Sequence, residues 1–266
     1  MTAIFDRKAR QKMLSTFNQK DFEYDGTPIN LMSVKLINNE TAREYIATFH
    51  YSKTFPDSTI FSYGGFLNGK LIGICCFGMG CGKNQYTAII PNIENGSYLE
   101  LTRLWCADSM PRNTESKLIS MSLKALPPQY KLIISFADEL QGHCGIIYQA
   151  TNWYYLGVNG GGKMLINEKG IKKHPRLLGI YRMRHPELKE KSNDELMEML
   201  GYKWCESGKK HRYIYLRGTK KEKKSLYIYI YKRIQPYPKV DKKIGLTENE
   251  IVGNEEKPTF TQMKLF

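Results

Sequence analysis

The sequence predicts a mixed α+β fold around a central twisted sheet, and three observations lead there. Segments with strand character and segments with helical period alternate in the order β-α-β-β-β-α-β-α-β, which suits a mixed sheet better than a doubly wound parallel one. Asn68-Gly69 stands between two apolar runs, so at least one pair of strands is an antiparallel hairpin. With 266 residues, 41% of them hydrophobic and 12% aromatic, the chain can bury one large core or two small ones.

Residues 1–30 are mixed and polar and read as an N-terminal extension. LMSVKLI, 31–37, has the content of a strand. NNETAREYIATFHYSKT follows with an Asn cap and apolar or aromatic residues at helical spacing, hence a helix. IFSYGGFLNGKLIGICCFGM is the hairpin, because both central residues of a two-residue turn need positive φ and Asn-Gly tolerates it. Gly64, Gly65 and Gly73 predict a bulge or a close backbone approach within it. After a polar loop at 82–97, YLELTRLWC is a strand, Pro111 to Thr114 a turn, and ESKLISMSLKAL a helix stopped by Pro127-Pro128. KLIISFAD is a short buried-type strand, IIYQATN a short helix and WYYLGV another strand. Three glycines, 160–162, mark a flexible join, and NDELMEML is a helix. RYIYLR (212–217) and LYIYIY (226–231) read as tyrosine-rich strands joined by a charged loop, GTKKEKKS. The main body thus runs over 31–234, with a basic C-terminal part over 163–234, and 235–266 form a flexible tail.

Composition excludes several classes. Six cysteines without a CxxC spacing fit neither a disulfide scaffold nor a zinc site. There is no run of about 18 apolar residues, so no transmembrane helix is expected, and MTAIFDRKARQKM lacks the apolar core of a secretory signal. The expectation is a reduced, cytoplasmic protein. The formal net charge is +14, and residues 163–243, with 23 basic and 9 acidic residues, carry all of it. Such a block predicts a polyanionic partner, nucleic acid first, against the alternative of a solvated lysine-rich face.

Three polar clusters can carry chemistry. Asp138 ends a buried strand, where α/β sheets place ligands, and Tyr148 lies ten residues on, with His143 and Cys144 in the glycine loop between them. The alternative is that Asp138 caps a turn and Tyr148 fills the core. His50, in Phe49-His50-Tyr51-Ser52, either complements the dipole of the first helix or joins Asp138 and Tyr148 at a metal. Imidazole, carboxylate and phenolate together suit oxidised iron better than zinc. Without a metal, Asp138 would act as general base and Tyr148 as general acid, and chelation separates the two schemes. Arg103 projects from the strand expected beside that of Asp138 and is the candidate for binding an anionic donor or intermediate. Arg112, Asn113 and Thr114 precede a helix whose free amides suit a phosphate or carboxylate, unless Thr114 is an ordinary cap. At the end of the chain, Gln262-Met263-Lys264-Leu265-Phe266 resembles the peptide that bacterial sliding clamps bind, with Gln262, Leu265 and Phe266 as its anchors on a tether.

FHYSK, ELTRLW, PRNTES, SFAD and GHCGIIYQATNW follow one another over roughly residues 33–217. Together they resemble the phage Mom family of DNA adenine-modification proteins, relatives of the GCN5-related N-acetyltransferases. The resemblance implies a GCN5-related N-acetyltransferase-like fold, with a mixed, splayed sheet and helices on both faces. IYQATNW is similar to the Y-x-x-x-G-F stretch in which those enzymes carry the tyrosine that protonates the leaving thiolate. Their pyrophosphate loop, Q/R-x-x-G-x-G/A, has no counterpart, since residues 112–117 hold no glycine.

Family likeness further implies conversion of adenine in phage DNA to N6-carbamoylmethyladenine, or a closely related N6 adduct, as protection from restriction. It implies acetyl-CoA or another acyl or aminoacyl donor, and an infected bacterial host as the setting. It marks His50, Asp138 and Tyr148 as positions for activity and for iron, and Arg103 and Ser116 as further polar residues of the site. Adenine N6 is paired within duplex DNA, so the enzyme must flip the base, at a cost of roughly a few kcal/mol, or await single strands. Tyr51, Trp105, Tyr154 and Tyr155 are candidates for stacking on it or for core packing. Two rival functions remain. An N-acyltransferase acting on a protein or small amine predicts tight coenzyme A binding, against which the missing glycine loop argues. A non-enzymatic, clamp-associated DNA-binding accessory predicts that Asp138→Ala and Tyr148→Phe change nothing.

Overall fold

A computed structural model describes residues 22–80, 82–168, 170 and 172–239. The chain divides into two compact units, one of residues up to 136, 145–157 and from 212 onward, the other of 137–144 and 158–211. Clamp anchors Gln262, Leu265 and Phe266 and most of the N-terminal extension lie outside the described residues. Among the described residues no helix is long and apolar enough to cross a membrane.

The fold is the predicted mixed α/β one. In chain order the first strands are β1 (Ser33–Ile37), β2 (Thr59–Leu67), β3 (Lys70–Gly78), β4 (Tyr98–Cys106), β5 (Leu132–Asp138) and β6 (Tyr154–Asn159). Three more follow, β7 (Lys163–Asn167), β8 (Lys172–Lys173) and β9 (Tyr202–Glu206), then β10 (Lys210–Leu216). The main sheet has the order β1-β2-β3-β4-β5-β10-β6. Strands β1 to β4 are an antiparallel meander, and β5 joins β4 in parallel. The β2–β3 turn is the predicted Asn68-Gly69, at φ 48° and 77°. The predicted close approach is at Gly73, where a Cβ would lie 2.7 Å from Cys106 Sγ and 2.9 Å from Leu118.

Helix α1 (Asn39–Phe49) is capped by Asn38, which accepts the Thr41 N–H at 2.7 Å. After α2 (Lys83–Thr87) comes α3 (Thr114–Ala125). Successive strand residues face opposite sides of a sheet, and β3 uses both. Ile74 and Cys76 pack with Ala42 and Ile46 of α1, while Gly73 faces Leu118 of α3. The two helices therefore cover opposite faces, which is why β3 is buried along nearly all its length.

The second unit has its own three-stranded sheet, β8-β7-β9. Its helices are α5 (Arg176–Arg184), introduced after the short α4 (Ile146–Gln149) of the first unit, and α6 (Asn193–Met199). Leu165, Leu178, Leu196 and Met197 form its core. Ser192 and Glu195 make a full capping box at the start of α6. The glycine join is tied down rather than open: Ser207 N–H donates to the Gly162 carbonyl, and Gly162 N–H to Ser207 Oγ, both at 2.7 Å.

Two expectations are corrected. The polar loop at 82–97 contains α2, whose Tyr86 is buried and stacks on Tyr98 at 4.0 Å. LYIYIY is not a strand and GTKKEKKS is not a loop. Lys220–Tyr227 form α7, and Tyr231–Arg233 a 3-10 turn. Thr219 and Glu222 form a capping box that nucleates this helix, and Leu226, Tyr227 and Ile230 face the core at helical spacing. The alternating tyrosines point outward instead, Tyr229 and Tyr231 each being about half exposed.

Candidate active site

Strands β4 and β5 pair only from Tyr98↔Leu132 to Glu100↔Ile134, although both continue further. Opposite β3, the register of β4 skips from Leu101 to Arg103, so Thr102 is a bulged residue at the same level. Where the ladder lapses, Ser135 Oγ lies 2.9 Å from the Leu101 carbonyl and 2.8 Å from the Tyr148 hydroxyl. A carbonyl only accepts and a serine has one proton, so Ser135 donates to Leu101 and the phenol supplies the proton of the second bond. This is a directed chain, Tyr148 to Ser135 to Leu101. Burial pushes the Tyr148 phenol well above its ordinary range, and the nearby Cys75, Tyr51 and Glu100 add to that while the Ser135 bond opposes it. Tyr148 is therefore held as a phenol.

Helix α4 brings Tyr148 there. It starts at Gly145, at φ 84°, where a Cβ would meet the Tyr213 ring at 2.3 Å, so only glycine fits. Tyr148 then packs on Trp153 and Tyr213, each with ring centroids 5.1 Å away.

His50 is the C-cap residue of α1 and is buried. Its Nδ1 accepts the Ser52 N–H at 3.1 Å, with Ser52 Oγ 2.9 Å away, so the neutral ring carries its proton on Nε2. Tyr51 lies against the His50 ring at 4.2 Å and is 54% exposed. Arg103 donates to the Thr54 carbonyl (2.8 Å), Thr54 Oγ1 (2.9 Å) and the Thr102 carbonyl (2.6 Å). It thus pins the segment that carries Tyr51, through hydrogen bonds to backbone and hydroxyl oxygens. Of the four stacking candidates, Tyr155 is buried, Trp105 sits among Phe22, Tyr45 and Phe49, and Tyr154 packs on Tyr227. Tyr51 is the one that presents itself to solvent.

At the start of α3, Asn113 adopts the left-handed conformation (φ 72°) and its side chain does not cap the helix. Thr114 is no ordinary cap either: it is buried and its hydroxyl donates to the Pro111 carbonyl at 2.6 Å. Ser116 Oγ donates to the Asn113 carbonyl at 3.1 Å. An open cleft of about 300 Å³ lies there, lined by Asn113, Ser116, Lys117, Thr151, Asn152 and Tyr215 among others. First-turn amides without a side-chain cap, one lysine and several hydroxyl and amide groups suit a phosphate, with Glu115 in the first turn as an opposing charge. Arg112 immediately precedes this turn and does not line the cleft.

Asp138 belongs to the second unit. It ends β5, as predicted, and its carboxylate accepts the Leu140 N–H at 3.0 Å, capping a short 3-10 turn. Iron is the metal expected at His50, Asp138 and Tyr148. A metal at His50 Nε2 would require Nδ1 to give up the Ser52 N–H it accepts, and a metal at Tyr148 would require the phenol to leave Ser135. The donor set as it stands does not fit iron. Among the described residues no cluster of three or more His, Cys, Asp and Glu side chains is placed to hold a metal.

Sequence reasoning missed Ser135 and Glu100. Glu100 lies on β4 within electrostatic range of both Tyr148 and Arg103. A carboxylate within ELTRLW, on a strand otherwise apolar around it, was the available signal. Nothing local marked Ser135, because its role depends on where β4 and β5 part.

A sequence model of the Mom protein family matches residues 31–239. The methylcarbamoylase mom of Escherichia phage Mu is 36% identical over 142 residues, which cover 51% of this chain and 59% of that protein. Among solved structures, aminoglycoside acetyltransferase AAC(6')-Ib in complex with coenzyme A and kanamycin is 13% identical, covers 48% of this chain and 87% of its own, and has a TM-score of 0.38. The IAA acetyltransferase from Bacillus cereus is 9% identical over 70% of this chain and 99% of its own, also with a TM-score of 0.38. At these scores the structural likeness goes no further than a partial overlap of fold.

Proposed function

The chain belongs to the Mom protein family, and from that premise we propose that it is a DNA-modifying transferase that converts adenine in phage DNA to N6-carbamoylmethyladenine or a closely related N6 adduct. Modification of this kind would protect the DNA from restriction in the cytoplasm of the bacterial host. The observation that carries the reading is the buried Tyr148–Ser135 pair at the parting of β4 and β5.

The chemistry follows from proton balance. When adenine N6 attacks a donor, N6 loses one proton and the departing group gains one. Tyr148, held as a phenol, is the acid: its proton turns from Ser135 to the departing group, and Ser135 can then turn its own proton from the Leu101 carbonyl to the phenolate left behind. Asp138 at the end of β5 is the base expected from the sequence, and Glu100 is the carboxylate near Tyr148 that competes for that role. Attack on acetyl-CoA would leave an N6-acetyl group and a free thiol, and attack on a glycyl carrier an N6-glycyl group, whereas a carbamoylmethyl group needs a donor that presents its CH2 carbon with a leaving group. The uncapped start of α3 beside Ser116 would receive a phosphate of the donor. Tyr51 would stack on the flipped base, which helps offset an unstacking cost of roughly a few kcal/mol. Gln262, Leu265 and Phe266 would tether the enzyme to the sliding clamp and raise its effective concentration on DNA.

The test is mass spectrometry of nucleosides from DNA of cells expressing the protein. A heavier deoxyadenosine is expected from the wild type and is expected to vanish in Tyr148→Phe. Its mass gives the composition of the adduct, and its fragmentation separates an N6-carbamoylmethyl group from the isomeric N6-glycyl group. Asp138→Ala and Glu100→Gln, run in parallel, separate the two candidate bases. Unmodified DNA from soluble wild-type protein, or full modification by Tyr148→Phe, overturns the reading.

A further inference from the structure

The basic block does not spread evenly over the two units. The second unit holds 12 basic and 9 acidic residues, whereas residues 212–239 of the first hold 9 basic and 1 acidic. Within the latter stretch, Arg217 donates to the carbonyls of Leu126, Pro127 and Tyr130, and Arg233 to that of Ala88. Those arginines hold the fold. Lys220, Lys221, Lys223 and Lys224 do not: all four are exposed, and none is paired with a carboxylate among the described residues.

Helix α7 is electrostatically unfavourable on its own. Lys220 and Lys221 stand at its positive N-terminal end, and Lys220–Lys223, Lys220–Lys224 and Lys221–Lys224 are like-charge pairs at helical spacing. At 100° per residue the four lysines fall within about 160° of arc, a single outward face. Glu222, the acidic residue of the helix, turns away to Lys131, 2.7 Å distant. Leu226, Tyr227 and Ile230 pack inward, and the exposed apolar side chains of this stretch are Ile228, Tyr229 and Tyr231, all beyond the four lysines in the chain. The chain then continues with exposed Tyr231 and with Lys232, whose Nζ lies 5.7 Å from the Tyr231 ring. Eight helical residues span about 12 Å. Duplex DNA carries one charge per ~1.7 Å of axis with both strands counted, or one per ~3.4 Å along a single strand, so that length runs beside about three or four phosphates of one strand, of the order of the four lysines.

We propose that α7 and the turn after it are the surface on which duplex DNA lies, with Lys220, Lys221, Lys223, Lys224 and Lys232 on its phosphates and no reading of base sequence. The proposal rests on the reading of the chain as a DNA-modifying enzyme, and it assigns non-specific DNA grip to this helix rather than to the second unit.

The test measures binding of the full chain to an arbitrary 20-base-pair duplex across a salt series. Lys220→Gln, Lys221→Gln, Lys223→Gln and Lys224→Gln are combined in one variant, since Gln keeps helix propensity. A matched variant combines Lys172→Gln, Lys173→Gln, Lys189→Gln and Lys203→Gln, all exposed in the second unit. The slope of log affinity against log salt should fall by about 0.9 for each phosphate no longer neutralised, hence by roughly 3 to 4 in the α7 variant and by less than about 1 in the other. The α7 variant should also melt no lower than wild type at low salt, because like-charge repulsion has been removed, which shows that any loss is not unfolding. An unchanged slope in the α7 variant, or an equal fall in both, overturns the proposal while leaving the enzyme reading intact. Retained DNA binding with lost binding to phosphatidylserine vesicles overturns it in favour of a membrane surface. A wild-type chain that fails to bind any DNA instead sinks the functional reading itself.

Discussion

Tyr148, Ser135 and the Leu101 carbonyl form a chain whose direction is set by elementary valence, and that direction predicts behaviour. Tyr148→Phe removes one neutral hydrogen bond, so the unfolding free energy should fall by only about 1 kcal/mol. Activity measured as modified adenine should fall by about 10²-fold or more, the usual contribution of a positioned acid. Because burial raises the phenol's pKa, the activity of the wild type should not decline through pH 10 on account of this group. Ser135→Ala should cost less than Tyr148→Phe, since the acid remains and only its orientation is lost. Tyr148 was legible in the sequence as a candidate, by its place ten residues after Asp138 and by the family resemblance of the stretch up to Trp153. Its state was not, because burial and the Ser135 bond come from strands 13 residues and more away in the chain.

Among elements, α7 and the end of α3 show how local and distant forces share a boundary. Thr219-x-x-Glu222 is a capping signal readable from the chain, but the tyrosine alternation beside it suggested a strand, and packing of Leu226 and Ile230 decided for the helix. Lys131 and the Thr219 backbone and hydroxyl hold the Glu222 carboxyl at about 2, below its usual 4.5. A lowered folded-state pKa stabilises above the unfolded value and is lost as pH falls through the folded one. The helix should therefore loosen between about pH 4.5 and 2, and Glu222→Gln should flatten the pH dependence of melting over that window. Arg217 closes the C-terminal end of α3 by donating to three carbonyls. Arg217→Ala should destabilise by about 2–4 kcal/mol in chemical denaturation, because a charged donor is lost and carbonyls are left unpaired. Arg217→Lys should recover only part of that, since an ammonium lacks the planar fork.

For the whole molecule, the charge excess, the family membership and the terminal QMKLF peptide bear on the proposed encounter with DNA. Deleting Gln262–Phe266 should abolish binding to the bacterial sliding clamp in a pull-down with purified proteins. Modification of naked DNA in vitro should be unchanged, whereas modification in replicating cells should fall. Clamp binding that survives the deletion would remove the tether from the account. The chain's net charge of +14 looked like one basic region from 163 onward. The structure divides that region between two units: residues 163–211 of the second hold 12 basic and 7 acidic residues, and residues 212–239 of the first hold 9 and 1, of which α7 and the turn after it contribute 6 and 1.

The sequence by itself determined what is local or compositional. The Asn68-Gly69 turn, the Asn38 cap, the strand at 98–106 and the position of Asp138 at a strand end all follow from neighbouring residues. So did the family, through five short motifs in order. Tertiary structure decided what depends on distant segments meeting. It set the parting of β4 and β5, the protonated state of Tyr148, the duty of Arg103 at Thr54, and the outward lysines of α7. Each is settled by desolvation or by a hydrogen bond between residues far apart in the chain, and neither quantity exists until the sheet has formed.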